Sequence, residues 1–385
     1  MSAVAVVGAG IGGLSAALAL AADGHQVTVL ERASSFDAVG AGLLLTPNAV
    51  QVLARLGVHL DGEGQVLTRI EMSNSLGRRL GAIELERLAC TYGPSYGLTR
   101  PRLHALLAEA LPSSVEVVLD APVTAVEDGS LVSSGAGGGG VAVVWPGGER
   151  RFEWVVAADG LRSAVRSMLG GPRQLRYSGS TCWRGIAPLD VGGSAVESWG
   201  NGNRIGIFPV GTGQVYYYLL ATAPAGTPAP SSVAQLREAF AGYSGTAGRL
   251  LDSLTAMPPL HDDLYELYRP FWGRGRVLLL GDAAHAMTPN QGQGAAMAIE
   301  DALVVAAALR AAPDAVLERY RRTRHRRVRQ VQLVSRWIGR AANLRGPGVA
   351  WARDALTRMA PFNATSTLRR LIVPGTTLAA SPQGM

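Results

Sequence analysis

Residues 2–31, SAVAVVGAGIGGLSAALALAADGHQVTVLE, decide how the chain is read. The apolar run Ala3–Val7 predicts a buried parallel strand, the cluster Gly8–Gly13 a tight turn, and Leu14–Ala22 a helix that Gly24 ends. Gln26–Leu30 predicts a second strand with Glu31 at its tip, 18 residues past Gly13. Strand, glycine turn, helix, strand and acid in this order form a dinucleotide-binding unit. In it Gly8 allows the turn, Gly10 lets a pyrophosphate approach backbone N–H groups, and Gly13 brings helix and strand together. The helix N-terminus, with its unpaired N–H groups and positive dipole end, favours that anion. Glu31 is placed to accept hydrogen bonds from a ribose diol, so FAD or NAD suits this site and a 2′-phosphate does not.

The glycine spacing alone means little. Gly135–Gly140 matches the same pattern, but the strand-like Val141–Trp145 follows it, which predicts a hairpin tip. Two further segments carry more weight. Trp154–Ala158 predicts a buried strand ending in Asp159-Gly160, with a helix starting over Leu161–Arg166. Arg276–Leu280 predicts another, ending in Gly281-Asp282 and followed by a long Ala-rich helix through Leu309. Each places a carboxylate at the C-terminal end of a strand, where α/β sheets take ligands. Each Asp alternatively only caps the helix that follows.

Composition removes whole chemistries. All 36 basic residues are arginine, so Schiff-base, pyridoxal-phosphate, Ser-Lys and standard P-loop mechanisms are excluded. Cys90 and Cys182 stand alone and the six histidines are dispersed, so no metal site and no disulfide scaffold is expected. A reducing cytoplasm is the expected location. The apolar start lacks a basic n-region, and no uninterrupted apolar stretch is long enough to span a membrane. Residues 1–300 hold 21 Arg against 25 acids and residues 301–385 hold 15 against 4, so the net +7 belongs to the C-terminal part.

With GxGxxG, Asp-Gly and Gly-Asp in this order, the sequence resembles the class A, single-component FAD-dependent aromatic hydroxylases. The nearest branch is that of salicylate hydroxylase, urate hydroxylase and zeaxanthin epoxidase. The stretch from Gly281 to Gly294, Gly-Asp-Ala-Ala-His-x-x-x-Pro-x-x-Gly-Gln-Gly, is the most specific part. Glu31-Arg32, Pro47-Asn48, Arg100, Trp183-Arg184-Gly185 and Phe208-Pro209 add to it. The resemblance implies an α/β fold: a Rossmann-like FAD-binding domain (1–175 and 265–335), an inserted mixed β-sheet substrate domain (176–264), and a C-terminal helical segment (336–385). It further implies that Gly8, Gly10, Gly13, Glu31 and Arg32 hold the ADP half of FAD, with the backbone at Val123 beside the adenine. Arg100 would lie on the flavin side. Asp159 would serve FAD and the nicotinamide, and Asp282 the ribityl or pyrophosphate region. Pro289, Gly292, Gly294 and Ala295 would pass beneath the isoalloxazine ring. His285 is expected to be structural.

The implied reaction uses NADH or NADPH as a transient co-substrate and O2, and inserts one oxygen atom through a flavin C4a-hydroperoxide into a small aromatic or lipophilic substrate. The alternatives are a flavin-dependent reductase or oxidase without oxygen insertion, and a non-catalytic flavoprotein acting through its Arg-rich C-terminal region. The missing lysine and Trp-x-Trp-x-Ile-Pro motif count against a halogenase. On the substrate side, residues 178–222 change to short strands of period two. Arg204 and Phe208 share one strand face and Tyr216 and Tyr218 the next. If those faces overlie the flavin, Arg204 would clamp the substrate and Tyr216 steer its proton, with Pro289 on the opposite wall; alternatively the tyrosines are sheet surface and Arg204 is solvated. The Gly40–Gly42 loop is a candidate hinge. The run Arg319–Arg329 reads as a helix with Val328, Val331 and Val334 on one face and its arginines solvated. No nucleic acid is expected, and contact with a membrane surface stays open.

Overall fold

The computed structural model describes residues 1–36, 40–129, 140–258, 260–311 and 314–359. The repeated glycine pattern at 135–139 and the tail beyond 359 lie outside them. The central sheet has six strands in the order Gly273–Arg274, Val277–Leu279, Trp154–Ala157, Ala3–Val7, Gln26–Leu30 and Glu116–Val118. All its pairings are parallel except the outermost, between 273–274 and 277–279. The strands are buried on both sides, which is why they read as unbroken Val/Ala/Leu runs instead of alternating ones. Helix Ile11–Ala22 is apolar nearly all round and is buried against helix Gly294–Ala311. Gly12 permits this approach: a Cβ there would stand 2.8 Å from Leu280 Cδ1.

The second layer is a seven-stranded sheet ordered 260–266, 176–188, 214–222, 203–211, 194–199, 69–74 and 79–84. Its period-two alternation is visible in Val215, Tyr217 and Leu219, which are buried against Leu236, Phe240 and Leu250 of the covering helices. Tyr216 and Tyr218 lie on the other face, where Gly42 packs against Tyr216. This sheet also takes strands Arg69–Asn74 and Arg79–Glu84, which fall inside the segment 1–175. The second sheet therefore extends beyond 176–264, because residue 69 pairs in parallel with residue 194 across a long sequence gap.

Helix Val316–Ala342 corrects the reading of the arginine run. Val328 and Val331 are buried, but so are Arg324, Gln332, Ser335 and Arg336 on the same face. Arg324 is fully buried, with Nε 2.6 Å from Asp301 Oδ1 and Nη1 2.5 Å from Glu300 Oε2. Arg327 Nε adds a 2.6 Å bond to Glu300. The helix repeat was legible, but its partners are two acids on another helix that no local pattern pairs with it. Burial alone pushes both carboxyls up. Arg324 and Arg327 beside Glu300, and His285 and Arg324 beside Asp301, outweigh that and hold both below the usual carboxylate range.

Removing one member of a buried ion cluster leaves the others uncompensated. Arg324→Met is expected to lower the unfolding free energy in urea by about 3–5 kcal/mol. A carboxyl depressed in the folded state stabilises it above the unfolded pKa, near about pH 4, and that contribution is lost as pH falls through the folded value. Wild type should therefore lose stability on acidification more steeply than Glu300→Gln; equal slopes would show that Glu300 is not paired in solution.

Candidate active site

The pairing register assembles the site. Val7 lies opposite Leu30 and Ala157, and Ala157 opposite Leu279, so these four strands end level with one another. The residues that leave them, Gly8, Glu31, Asp159 and Gly281-Asp282, consequently crowd one edge of the sheet. Gly8 has φ +97°, and a Cβ would stand 2.7 Å from Ala158 O. A Cβ on Gly13 would stand 1.8 Å from Gly8 O, so this position admits glycine only. Gly10 is the exception: a Cβ there meets nothing within 4 Å. Space has been left above the start of helix Ile11–Ala22, whose N-cap Gly10 provides no side-chain bond to the free N–H groups. A phosphate-sized anion suits that cradle.

Three carboxylates stand around it. Glu31 accepts from Ala9 N at 2.6 Å and Ala33 N at 2.9 Å, so it first holds the glycine turn and retains lone pairs for a ribose. Arg32 is exposed beside it. The segment leading to half-buried Val123 runs along the same edge, with Ala121 N donating to Glu31 O at 2.8 Å. Asp159 caps the helix that follows it, and its second oxygen has no partner. Oδ2 accepts from Val165 N at 3.1 Å as a cap, while Oδ1 is buried with no partner and is open to a ligand hydroxyl. Asp282 opens a short helix, Asp282–His285, with its carboxylate exposed at the edge. These features fit a flavin dinucleotide: an anion cradle, a ribose acceptor and a second, orphaned acceptor along one edge.

The segment from Pro289 to Ala295 leads into helix Gly294–Ala311 and aims the helix N-terminus across this edge. Gly292 turns there with φ +63° and donates to Pro289 O at 2.9 Å. Gln293 is buried and anchors the turn by donating to Thr46 Oγ at 2.9 Å. Asn48 extends the anchor to Gln293 at 3.3 Å and Glu300 at 2.8 Å. His285 is 1% exposed, its Nε2 2.5 Å from Asp301, and so it is held within the ion cluster, away from the sheet edge.

The second sheet supplies the facing wall. Gly206 pairs with Tyr218 and Phe208 with Tyr216, and Tyr218 lies over Gly206, where a Cβ would come within 2.1 Å of its ring. Phe208, Tyr216 and Tyr218 form an aromatic patch with centroids 6.1–6.4 Å apart. Burial pushes the phenols of Tyr216 and Tyr218 well above their usual range, so both stay protonated. Arg204 is 2% exposed and bonded to Glu197 and to Asn290 of the flavin-loop segment. Gly42 packs directly on Tyr216, and Arg100 lies against Gly40 and is close enough to act on the Tyr216 phenol. Pro289 is exposed at the loop, whereas Thr288 turns to Ser335 of the long helix.

Arg204, Tyr216, Arg100 and the loop thus meet between the two sheets, with the cradle and its carboxylates along the first. Sequence reasoning missed Asn290, Gln293 and His104, whose Nε2 lies 2.7 Å from Ala9 O in the glycine turn. Asn290 and Gln293 sat inside the quoted motif as unassigned letters, since their partners come from elsewhere in the chain. Among the described residues no cluster of His, Cys, Asp and Glu has metal-site geometry.

Comparison with known proteins gives the following. A family model described as "FAD binding domain" matches residues 1–335. The chain is 34% identical to aurachin C monooxygenase/isomerase of Stigmatella aurantiaca over 92% of this chain and 94% of that protein. It is 32% identical to 2-heptyl-3-hydroxy-4(1H)-quinolone synthase of Pseudomonas aeruginosa over 97% and 98%. The crystal structure of Klebsiella pneumoniae HpxO complexed with FAD and uric acid superposes with a TM-score of 0.85, at 29% identity over 97% of each chain.

Gly10 separates folding from cofactor binding. Gly10→Ala should leave thermal unfolding of the apoprotein unchanged, because its Cβ has room, yet weaken FAD at least roughly tenfold by obstructing backbone approach to the pyrophosphate. Fluorescence titration with FAD measures this; unchanged affinity would remove Gly10 from the cofactor site.

Proposed function

The chain belongs to the family of class A FAD-dependent aromatic hydroxylases, and from that premise we propose that it hydroxylates a small, electron-rich aromatic ring, using NADH or NADPH and O2. The observation that carries this is one line of contacts: Arg204 bonds Asn290, whose segment leads into helix Gly294–Ala311, and Asp301 of that helix accepts from Gly281 N at the sheet edge. Bound FAD supplies the redox chemistry that activates O2 for transfer of one oxygen atom to the ring.

The protein's own part is positioning, charge and exclusion of water. The Gly10 cradle and N–H groups at the start of helix Ile11–Ala22 receive the pyrophosphate, Glu31 a ribose diol, and the Asp159 Oδ1 another hydroxyl. The N-terminus of helix Gly294–Ala311 stabilises negative charge on the reduced ring system. Phe208, Tyr216 and Tyr218 stack against an aromatic substrate and keep water from the reacting face. Arg204 orients a ring oxygen through a charge-assisted hydrogen bond. The protonated Tyr216 phenol donates a hydrogen bond to that same substituent.

One relative is a 2-heptyl-3-hydroxy-4(1H)-quinolone synthase by name, and HpxO is complexed with uric acid. That supports a hydroxylated or oxo-substituted ring here. We place the protein in the cytoplasm, where reduced nicotinamide is available. No helix among the described residues is long and apolar enough to cross a membrane.

The test is to purify the protein with its flavin spectrum and follow NAD(P)H oxidation across a panel of hydroxy- and oxo-aromatics, identifying products by mass. Substrate-stimulated oxidation with a product 16 mass units heavier, one oxygen atom, is the expected result. Oxidation without oxygen insertion would overturn it. Arg204→Ala should retain FAD and lose roughly 10–100-fold in substrate-dependent kcat/KM, the cost of one charge-assisted hydrogen bond. Unchanged turnover would remove Arg204 from the site.

A further inference from the structure

The guanidinium of Arg204 is already committed. Nη1 donates to Glu197 Oε1 at 3.2 Å, Nη2 donates to Asn290 Oδ1, and Nε is buried with no partner. Asn290 is held in turn by the long helix Val316–Ala342, and Glu197 by Trp199. Asn290 Nδ2 donates to Ser335 O at 2.8 Å and to Thr288 Oγ at 3.0 Å. A Cβ at Gly339 would stand 2.5 Å from Asn290 Nδ2, so the long helix sits directly on that amide. On the other side Glu197 accepts from Trp199 Nε1 at 2.9 Å. The guanidinium of Arg353, from helix Pro347–Met359, lies 5.5 Å from the Trp199 ring centroid and donates to Gly200 O and Ala342 O.

We propose that Glu197 is a specificity-determining residue that, with Asn290 as a positioning residue, balances the charge of Arg204 and selects a neutral oxo- or hydroxy-substituted ring over an aromatic carboxylate. The inference rests on the hydroxylase reading above and names the substrate class within it. The physical reason is the low exposure of the pair: Arg204 is 2% and Glu197 16% exposed at the side chain. A second carboxylate at this guanidinium would set two anions on one cation, and desolvating it brings no fresh counter-charge. A neutral ring oxygen needs one donor only, and the guanidinium keeps N–H groups beyond the two given to Glu197 and Asn290.

The rest of the wall agrees. Arg184, two strands away in the same sheet, is likewise paired, with Asp262. Phe208, Tyr216 and Tyr218 contribute ring faces and neutral phenols. Arg100 is the remaining cation near Tyr216, and it is exposed on the flavin side, where water screens its charge. The long helix therefore enters the chemistry through Asn290, which it holds, without touching the substrate itself.

The test uses the FAD-loaded protein and two probes of similar ring character, 4(1H)-quinolone (neutral) and salicylate (anionic), with Kd read from flavin absorbance changes at pH 7.5. Wild type should bind the quinolone at least roughly tenfold more tightly. Glu197→Gln keeps the side-chain shape and removes the charge, and should shift the preference toward salicylate by about tenfold, whereas Glu197→Asp should keep the wild-type preference. Equal or stronger binding of salicylate by wild type, no response to either probe, or an unshifted ratio in Glu197→Gln overturns the inference. In each of those outcomes the hydroxylase reading survives if the protein holds FAD and oxygenates a ring; absence of bound FAD would overturn both.

Discussion

Arg324 holds the two functional ends of the protein together. It sits fully buried between Glu300 and Asp301. Asp301 in turn accepts from Gly281 N, fixing the Gly-Asp turn at the sheet edge, and holds His285. Glu300 accepts from Asn48, which meets Gln293, and Gln293 pins the loop that opens helix Gly294–Ala311. A chain of polar contacts thus runs from the C-terminal helix to the Gly281 turn and to the turn at Gln293. Buried charges of this kind are costly to desolvate and contribute little net stability over an apolar core. Their consequence here is geometric: Arg324 is satisfied only when the long helix docks on helix Gly294–Ala311, whose Glu300 and Asp301 also hold Asn48 and the Gly281 turn.

The same economy governs the rest of the site. Four strands ending in register bring Gly8, Glu31, Asp159 and Asp282 to one edge without any residue of the second layer. The second sheet then adds ring faces and one balanced cation. Between the layers lies Asn290, bonded to Arg204 on one side and to Ser335 on the other. The C-terminal helices, rich in arginine and without a motif of their own, prove to be the frame around that contact.

Much of this was legible in the linear order of residues. The unit over residues 2–31 announced a nucleotide edge, because strand, turn and helix are local and each residue type there has a steric or dipolar reason. Asp159 and Asp282 were identifiable for the same reason, as punctuation at strand ends. The strand faces bearing Arg204 and Tyr216 followed from alternation. The solvated reading of Arg319–Arg329 failed at Arg324, since helical periodicity shows which residues share a face but not what the face meets. The extent of the second sheet was likewise hidden, because strands 69–74 and 79–84 join it by a parallel pairing that no turn signal marks.

The sequence by itself determined the dinucleotide unit, the family, and the chemistry that an absence of lysine rules out. Those features rest on interactions among near neighbours in the chain, or on residue identity alone. Only the tertiary structure decided that Asp159 caps with one oxygen and keeps the other free, that Glu197 neutralises Arg204, and that a run of arginines belongs partly to the core. Each of these is a pairing between groups distant in sequence. Burial gives such pairings their energetic weight, and burial exists only once the layers have closed.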